Sequence, residues 1–340
     1  MNTELHKPST TFLGVSIKSV AVLVISLMLC AWTATTVAQP GTAIPSAAAV
    51  SDQKLGSVLI YNYYTSSISN PATKNTRVSI TNTNATDGVA VHFFLVDGTS
   101  GSQSDIFICL VPNQTTSFLA SDVDPGSTGY IVAVAVAPTG CPLSFNYLIG
   151  DEYVKLDSGH AASFGAEAIA ALYTGTLGSC GGTSSSATLN FDGASYNQLP
   201  RRLMVDKIRS PADNNSMLLI VNRIGGSLTA GTASAIGTVN GELCDDLGTA
   251  HPFNFTHNQT QLVATLSDSF LLTSPVFSSV LPTGRTGWMS FAADTTDAAL
   301  LGVAINFNTT PSATRGGHNL RALSLTTTTS LVIPIFVPSC

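Results

Sequence analysis

The sequence predicts a mainly β protein: two tandem immunoglobulin-like β-sandwich domains with one short connecting helix. Three observations predict it. From Gly56 onward, short runs alternate apolar and polar residues with period two and are broken by turn residues roughly every 8 to 12 positions, as in a sandwich or barrel. A chain of 340 residues exceeds one typical domain and fits two. Finally, "PGSTGYIVAV" from Pro125 is echoed by "PTGRTGWMSF" from Pro282.

The elements follow in order. Residues 1–38 read as a signal peptide: Lys7 and Lys18 lie before the apolar run "VAVLVISLMLCAW", and small residues at Thr36 and Ala38 place cleavage after Ala38. An apolar core of about 13 residues is shorter than the roughly 20 that an uncleaved membrane anchor needs. Residues 39–55, small, polar and Pro-containing, read as a flexible leader.

Residues 56–157 form the first sandwich, with about seven strands from "SVLIYNYYTS" to "PLSFNYLI". Within it "YIVAVAV" is apolar on both faces, which marks a central strand covered from both sides. Residues 158–186 hold a helix and a Gly/Ser-rich linker. Phe164, Ala168, Ile169 and Leu172 share a helical face, Ser158 caps the start, and "GSCGG" follows. Residues 187–340 form the second sandwich. Asn240-Gly241 predicts a hairpin turn there, and Pro334 assigns the last strand to a sheet edge.

Aligning the halves on the repeated phrase sets "STGYIVAVAVAPTGCPLSFNYLIG" beside "RTGWMSFAADTTDAALLGVAINFN", which reads as a divergent tandem duplication. Asp124, Gly126 and Tyr130 resemble the tyrosine corner of immunoglobulin-like sandwiches, in which a Tyr hydroxyl bonds back to the turn. The second copy, Gly287 and Trp288, carries an indole N–H instead and has no matching Asp. As a whole the chain is similar to exported bacterial proteins of uncharacterised function with such tandem domains. That resemblance implies an address outside the cytoplasm and no activity.

Composition narrows the partners. Charged residues are 10% of the chain, against roughly a quarter on average, and the net charge is −6. No basic run exceeds Arg201-Arg202, so nucleic acid and anionic lipid surfaces are excluded as partners; a protein or glycan surface is left. No stretch after the signal is apolar for long enough to span a membrane.

Five cysteines follow the signal: Cys109, Cys141, Cys180, Cys244 and Cys340. Cys109 and Cys141, the only two in the first half, are paired on this reading, while Cys180, Cys244 and Cys340 compete for a second bridge. None has the spacing of a zinc or redox site.

No nucleophile elbow is present. His251 and His257 share one strand face but lack metal-ligand spacing. The acidic pairs Asp151-Glu152 and Asp245-Asp246 fit wet turns better than calcium loops or glycosidase carboxylates. "YNYY" at Tyr61 to Tyr64 directs at least one ring outward. The expectation is an exported, non-enzymatic structural or adhesion-type protein without cofactor or metal. A carbohydrate-binding module is the alternative, and a secreted hydrolase the third reading.

Overall fold

The chain is mainly β, with 54% strand and 4% helix, but its strands are shared among five small sheets, the blades of a five-bladed β-propeller ring. Two tandem immunoglobulin-like sandwiches are therefore the wrong architecture. The computed structural model describes residues 50–181, 183–310, 315–326 and 328–339. The expected signal peptide and Cys340 lie outside them.

In chain order, β1 (Val58–Thr65), β2 (Asn75–Asn82), β3 (Val89–Asp97), β4 (Gln103–Leu110) and β5 (Thr115–Leu119) precede a one-turn helix, α1 (Ala120–Val123). Next come β6 (Thr128–Val136), β7 (Leu148–Lys155), β8 (Ala161–Gly165), β9 (Glu167–Ile169) and β10 (Ser186–Asn190). Then follow β11 (Pro200–Arg209), β12 (Asn215–Ile224), β13 (Gly226–Ser227), β14 (Thr232–Ala233), β15 (Gly237–Asp245), β16 (Ala250–His257) and β17 (Gln261–Thr265). After α2 (Phe277–Val280) the chain closes with β18 (Thr286–Ala293), β19 (Ala299–Asn308), β20 (Gly316–Asn319), β21 (Arg321–Leu325) and β22 (Ser330–Pro334).

Neighbouring strands within a sheet come from distant parts of the chain. The five-stranded sheets run β4-β3-β6-β1-β9 and β16-β15-β18-β11-β21; two of the four-stranded sheets run β5-β2-β7-β8 and β17-β12-β19-β20. The fifth sheet is β10-β22-β13-β14. The Thr-Gly-aromatic phrase thus opens the middle strand of each five-stranded sheet, β6 and β18. It marks a local element used twice in one ring, not the boundary of two domains.

Period-two alternation sorts side chains between layers. In the first five-stranded sheet Leu59, Tyr61, Phe93 and Ile131 pack toward Val78 and Ile80 of β2, while Ile60, Phe94, Tyr130 and Val132 pack toward Leu189, Leu331 and Ile333 of the fifth sheet. Strand β6 is buried on both faces for this reason. In the other five-stranded sheet Leu203, Val205, Leu243, Met289 and Phe291 pack toward Leu219, Val221 and Leu300. The opposite face of that sheet, with Met204 and Trp288, belongs to no buried apolar cluster among the described residues. Each fully buried aliphatic or aromatic side chain contributes roughly 1.5–3 kcal/mol, so this face lacks the covering energy that its counterpart has.

Several local expectations are corrected. Residues 158–173 form β8 and β9 instead of a helix; Ala162, Phe164, Ala166 and Ala168 are all buried, so period two wins over the helical spacing that the same residues also satisfy. The Gly/Ser-rich segment carries Cys180 to Cys141 and leads straight into β10, which packs on the first sheet. Asn240-Gly241 lies inside β15, paired on both sides, and not at a turn. A Cβ on Gly241 would meet Phe253 and Phe291 at 2.5 and 2.8 Å, so close packing, not a reversal, requires glycine there. Strand β22 is interior to its sheet; Pro334 is tolerated at its last position, beyond the end of the β13 pairing.

The leader is docked where it is described: Val50 is buried and Ser51 bridges Ala168. All of β1 is buried, so no Tyr of "YNYY" faces outward. Cys109 does not pair with Cys141. The segment before Cys180 runs beside residues 141–144, with Leu177 N donating to Pro142 O at 2.9 Å, and this brings Cys180 to Cys141. Cys109 is disulfide-bonded, and Cys244 is a free, buried thiol.

Candidate ligand groove

The edge strands of four sheets, β9, β8, β20 and β21, border one polar cleft of about 820 Å³. Two glycines let them approach. A Cβ on Gly317 would lie 2.8 Å from the Phe164 ring, and one on Gly165 would lie 2.7 Å from Asp52 Cβ. Asp52 stands on the N-terminal wall, where Asn319 Nδ2 donates to its Oδ2 at 3.1 Å and to Gly165 O at 2.7 Å.

Glu167 opens β9 on the cleft wall and is only 6% exposed. Burial, reinforced by the charge of Asp52, pushes its carboxyl up to about 8. At neutral pH it is a neutral acid, able to donate a hydrogen bond.

The opposite wall is a β-bulge. Pairing between β11 and β18 shifts between Val205 and Ile208, which sets Asp206 and Lys207 together opposite the single residue Trp288. Asp206 Oδ2 forms an ion pair with Arg321 at 3.1 Å, and Asp206 Oδ1 lies 3.2 Å from His318 Nε2 without alignment for a hydrogen bond. Burial lowers the His318 imidazole; Asp206 opposes this, while Arg321 and Lys207 add to the lowering. Lys207 has φ +55°, an uncommon conformation for a side-chain-bearing residue.

Asp206 and Lys207 also line a second depression of about 370 Å³ with Met204, Asp246 and Trp288. Trp288 is 39% exposed, whereas Tyr130, at the same point of the repeated phrase, is fully buried under the fifth sheet. The expected pair of equivalent corners is therefore incorrect. Among the described residues Tyr130 Oη has no hydrogen-bond partner; Tyr64 Oη makes the bond to Asp124 Oδ2, at 2.7 Å, and Gly126 N donates to Ser66 Oγ. Gly287 stays bare because Cys244 O and the Leu281 side chain crowd its Cα.

The other sequence candidates have local structural duties. Glu152 is fully buried with Oε1 accepting from Tyr63 N at 3.2 Å, and burial drives its carboxyl well up. Asp245 and Asp246 pair with Arg285. His251 Nδ1 lies 3.3 Å from Ser274 O and His257 Nε2 2.8 Å from Gln261 O; no group of His, Cys, Asp and Glu among the described residues could hold a metal ion. No helix among those residues is long and apolar enough to cross a membrane.

The groove residues Glu167, Asp206, Lys207, His318 and Arg321 were not anticipated from sequence. A signal did exist at the bulge: the apolar spacing Leu203, Val205, Ile208 changes from two to three across the charged pair. No protein-family model, curated protein or solved structure matches the chain.

Proposed function

We propose that the chain is an exported, non-enzymatic protein of adhesion type that holds a glycan in this groove, with a sugar ring stacked on Trp288. The observation that carries the reading is the exposed Trp288 on an uncovered strand face, beside Asp206, Lys207 and Asp246. An indole offers an apolar face to the C–H side of a pyranose, and flanking carboxylates and ammonium groups bond its hydroxyls. The adjoining cleft of about 820 Å³ supplies further donors and acceptors, among them Glu167, Asn319 and Arg321. Catalysis forms no part of this reading.

The test is a glycan array probed with the wild-type chain and Trp288→Ala. Wild type binds at least one glycan class, and the variant weakens that binding by about tenfold, the equivalent of about 1.4 kcal/mol. Absence of binding to every glycan, or equal binding by the variant, overturns the proposal. Export is tested by fractionating the native host, where recovery in the cytoplasm would contradict it.

A further inference from the structure

The fold gathers basic side chains that the sequence keeps apart. Of the 14 Lys and Arg residues in the chain, Lys207, Arg209 and Arg315 line a single depression of about 210 Å³ between β11 and β20. His318 completes the polar wall, and the rest of the lining is neutral, so among the described residues no carboxylate borders the space. In a chain with 10% charged residues this is a sharp concentration of one sign.

None of these three cations is in an ion pair among the described residues. Asp206, next to Lys207 in sequence, turns its oxygens to Arg321 and His318 instead. The Arg315 guanidinium sits 4.9 Å from the centroid of the Phe307 ring, which steadies it at the rim. Lys207 is held at φ +55°, where glycine would be unstrained. An outlier of this kind points to a demand on the side chain that it carries.

Lys207 and His318 also form part of the large cleft, and Lys207 part of the Trp288 depression, so the basic pocket opens off the groove. We propose that this pocket is a subsite for an anionic substituent of the bound glycan, a carboxylate or sulfate ester, held by Lys207, Arg209 and Arg315. The inference rests on the glycan reading above. Guanidinium forks match the paired oxygens of such groups, and the lysine adds a compact charge. With water occupying about 30 Å³ per molecule, the space holds one oxyanion and a few waters, not a polymer backbone.

The experiment measures affinity of the full chain for polygalacturonate, dextran sulfate and uncharged dextran, with inorganic sulfate as the free-ion arm. Arg209→Gln with Arg315→Gln is the informative double variant, because both side chains are exposed and line this pocket while neither lines the large cleft or the Trp288 depression. The control, Lys74→Gln with Arg77→Gln, removes two charges from β2 and the loop before it.

Wild type is expected to bind at least one charged polymer about tenfold more tightly than dextran. The double variant removes that advantage and leaves dextran binding unchanged, while the control behaves as wild type. Equal affinity for dextran and both charged polymers overturns the subsite and leaves the glycan reading standing. Equal losses in the Arg209→Gln, Arg315→Gln variant and the control also overturn the subsite, as does binding of inorganic sulfate that the double variant does not weaken. Failure to bind any polysaccharide here and on the array overturns both.

Discussion

Replacing Glu167 by glutamine should stabilise the protein at neutral pH. The carboxyl is 6% exposed and titrates near 8 in the fold, against an ordinary value of 4.5. Between these values the folded chain keeps a proton that the unfolded chain releases. Stability is therefore complete below pH 4.5, falls as pH rises, and levels off above 8. At about 1.4 kcal/mol per pH unit, the loss reaches about 3 kcal/mol by pH 7. Glutamine mimics the neutral acid and does not suffer it. With an unfolding entropy of about 2.1 cal/mol/K per residue over roughly 290 residues, the gain in Tm is about 5 °C. Thermal denaturation followed by circular dichroism at pH 4, 5.5, 7 and 8.5 makes the comparison. The two proteins should coincide at pH 4 and separate progressively to pH 8. Curves that stay parallel from pH 4.5 to 8 would refute the assignment of a neutral carboxyl in the cleft.

Further outcomes follow from other contacts. Tyr64→Phe loses the hydroxyl bond to the Asp124 carboxylate and should cost about 1.5–3 kcal/mol in urea unfolding, whereas Tyr130→Phe, which removes a buried hydroxyl without a partner, should be neutral or stabilising. The reverse ranking would return the corner to Tyr130. Removing the Cys141–Cys180 bridge, which spans 39 residues, should cost about 4 kcal/mol on the loop-entropy scale; unchanged stability of the double Ser variant would contradict this. Gly317→Ala places a methyl 2.5 Å from Ala304 O and 2.8 Å from Phe164, and should cost about 1–3 kcal/mol while narrowing the cleft. A variant as stable as wild type would show that the edges of β8 and β20 are not closely apposed.

Strand content and the central place of β6 were legible because period two and a two-faced apolar run follow directly from side-chain geometry. Sheet membership was not. Strands that read as successive neighbours join sheets with partners far along the chain, as β22 does with β10 and β13. Ala162 to Ile169 satisfies both helical and strand spacing, and the burial of Ala162, Phe164, Ala166 and Ala168 at every second position decides it. Asn240-Gly241 has the composition of a hairpin turn, yet the Phe253 ring, the Ser290 carbonyl and the Phe291 Cβ crowding its Cα explain the glycine. The groove was the least legible feature. Its residues lie on β9, β11, β20 and β21, and only the fold brings Glu167, Lys207 and His318 to one opening. Trp288 and Tyr130 look equivalent in the repeated phrase. What separates them is the fifth sheet, which covers one and leaves the other open.

The most direct test of the glycan groove uses that difference. The chain has two tryptophans, Trp32 in the expected signal and Trp288, so Trp288 is the sole tryptophan in residues 39–340. Its fluorescence should shift to the blue and saturate when the glycan selected on the array is titrated in, because a stacked sugar displaces water from the exposed indole. Emission that stays constant while calorimetry records binding would place the glycan elsewhere and contradict the account.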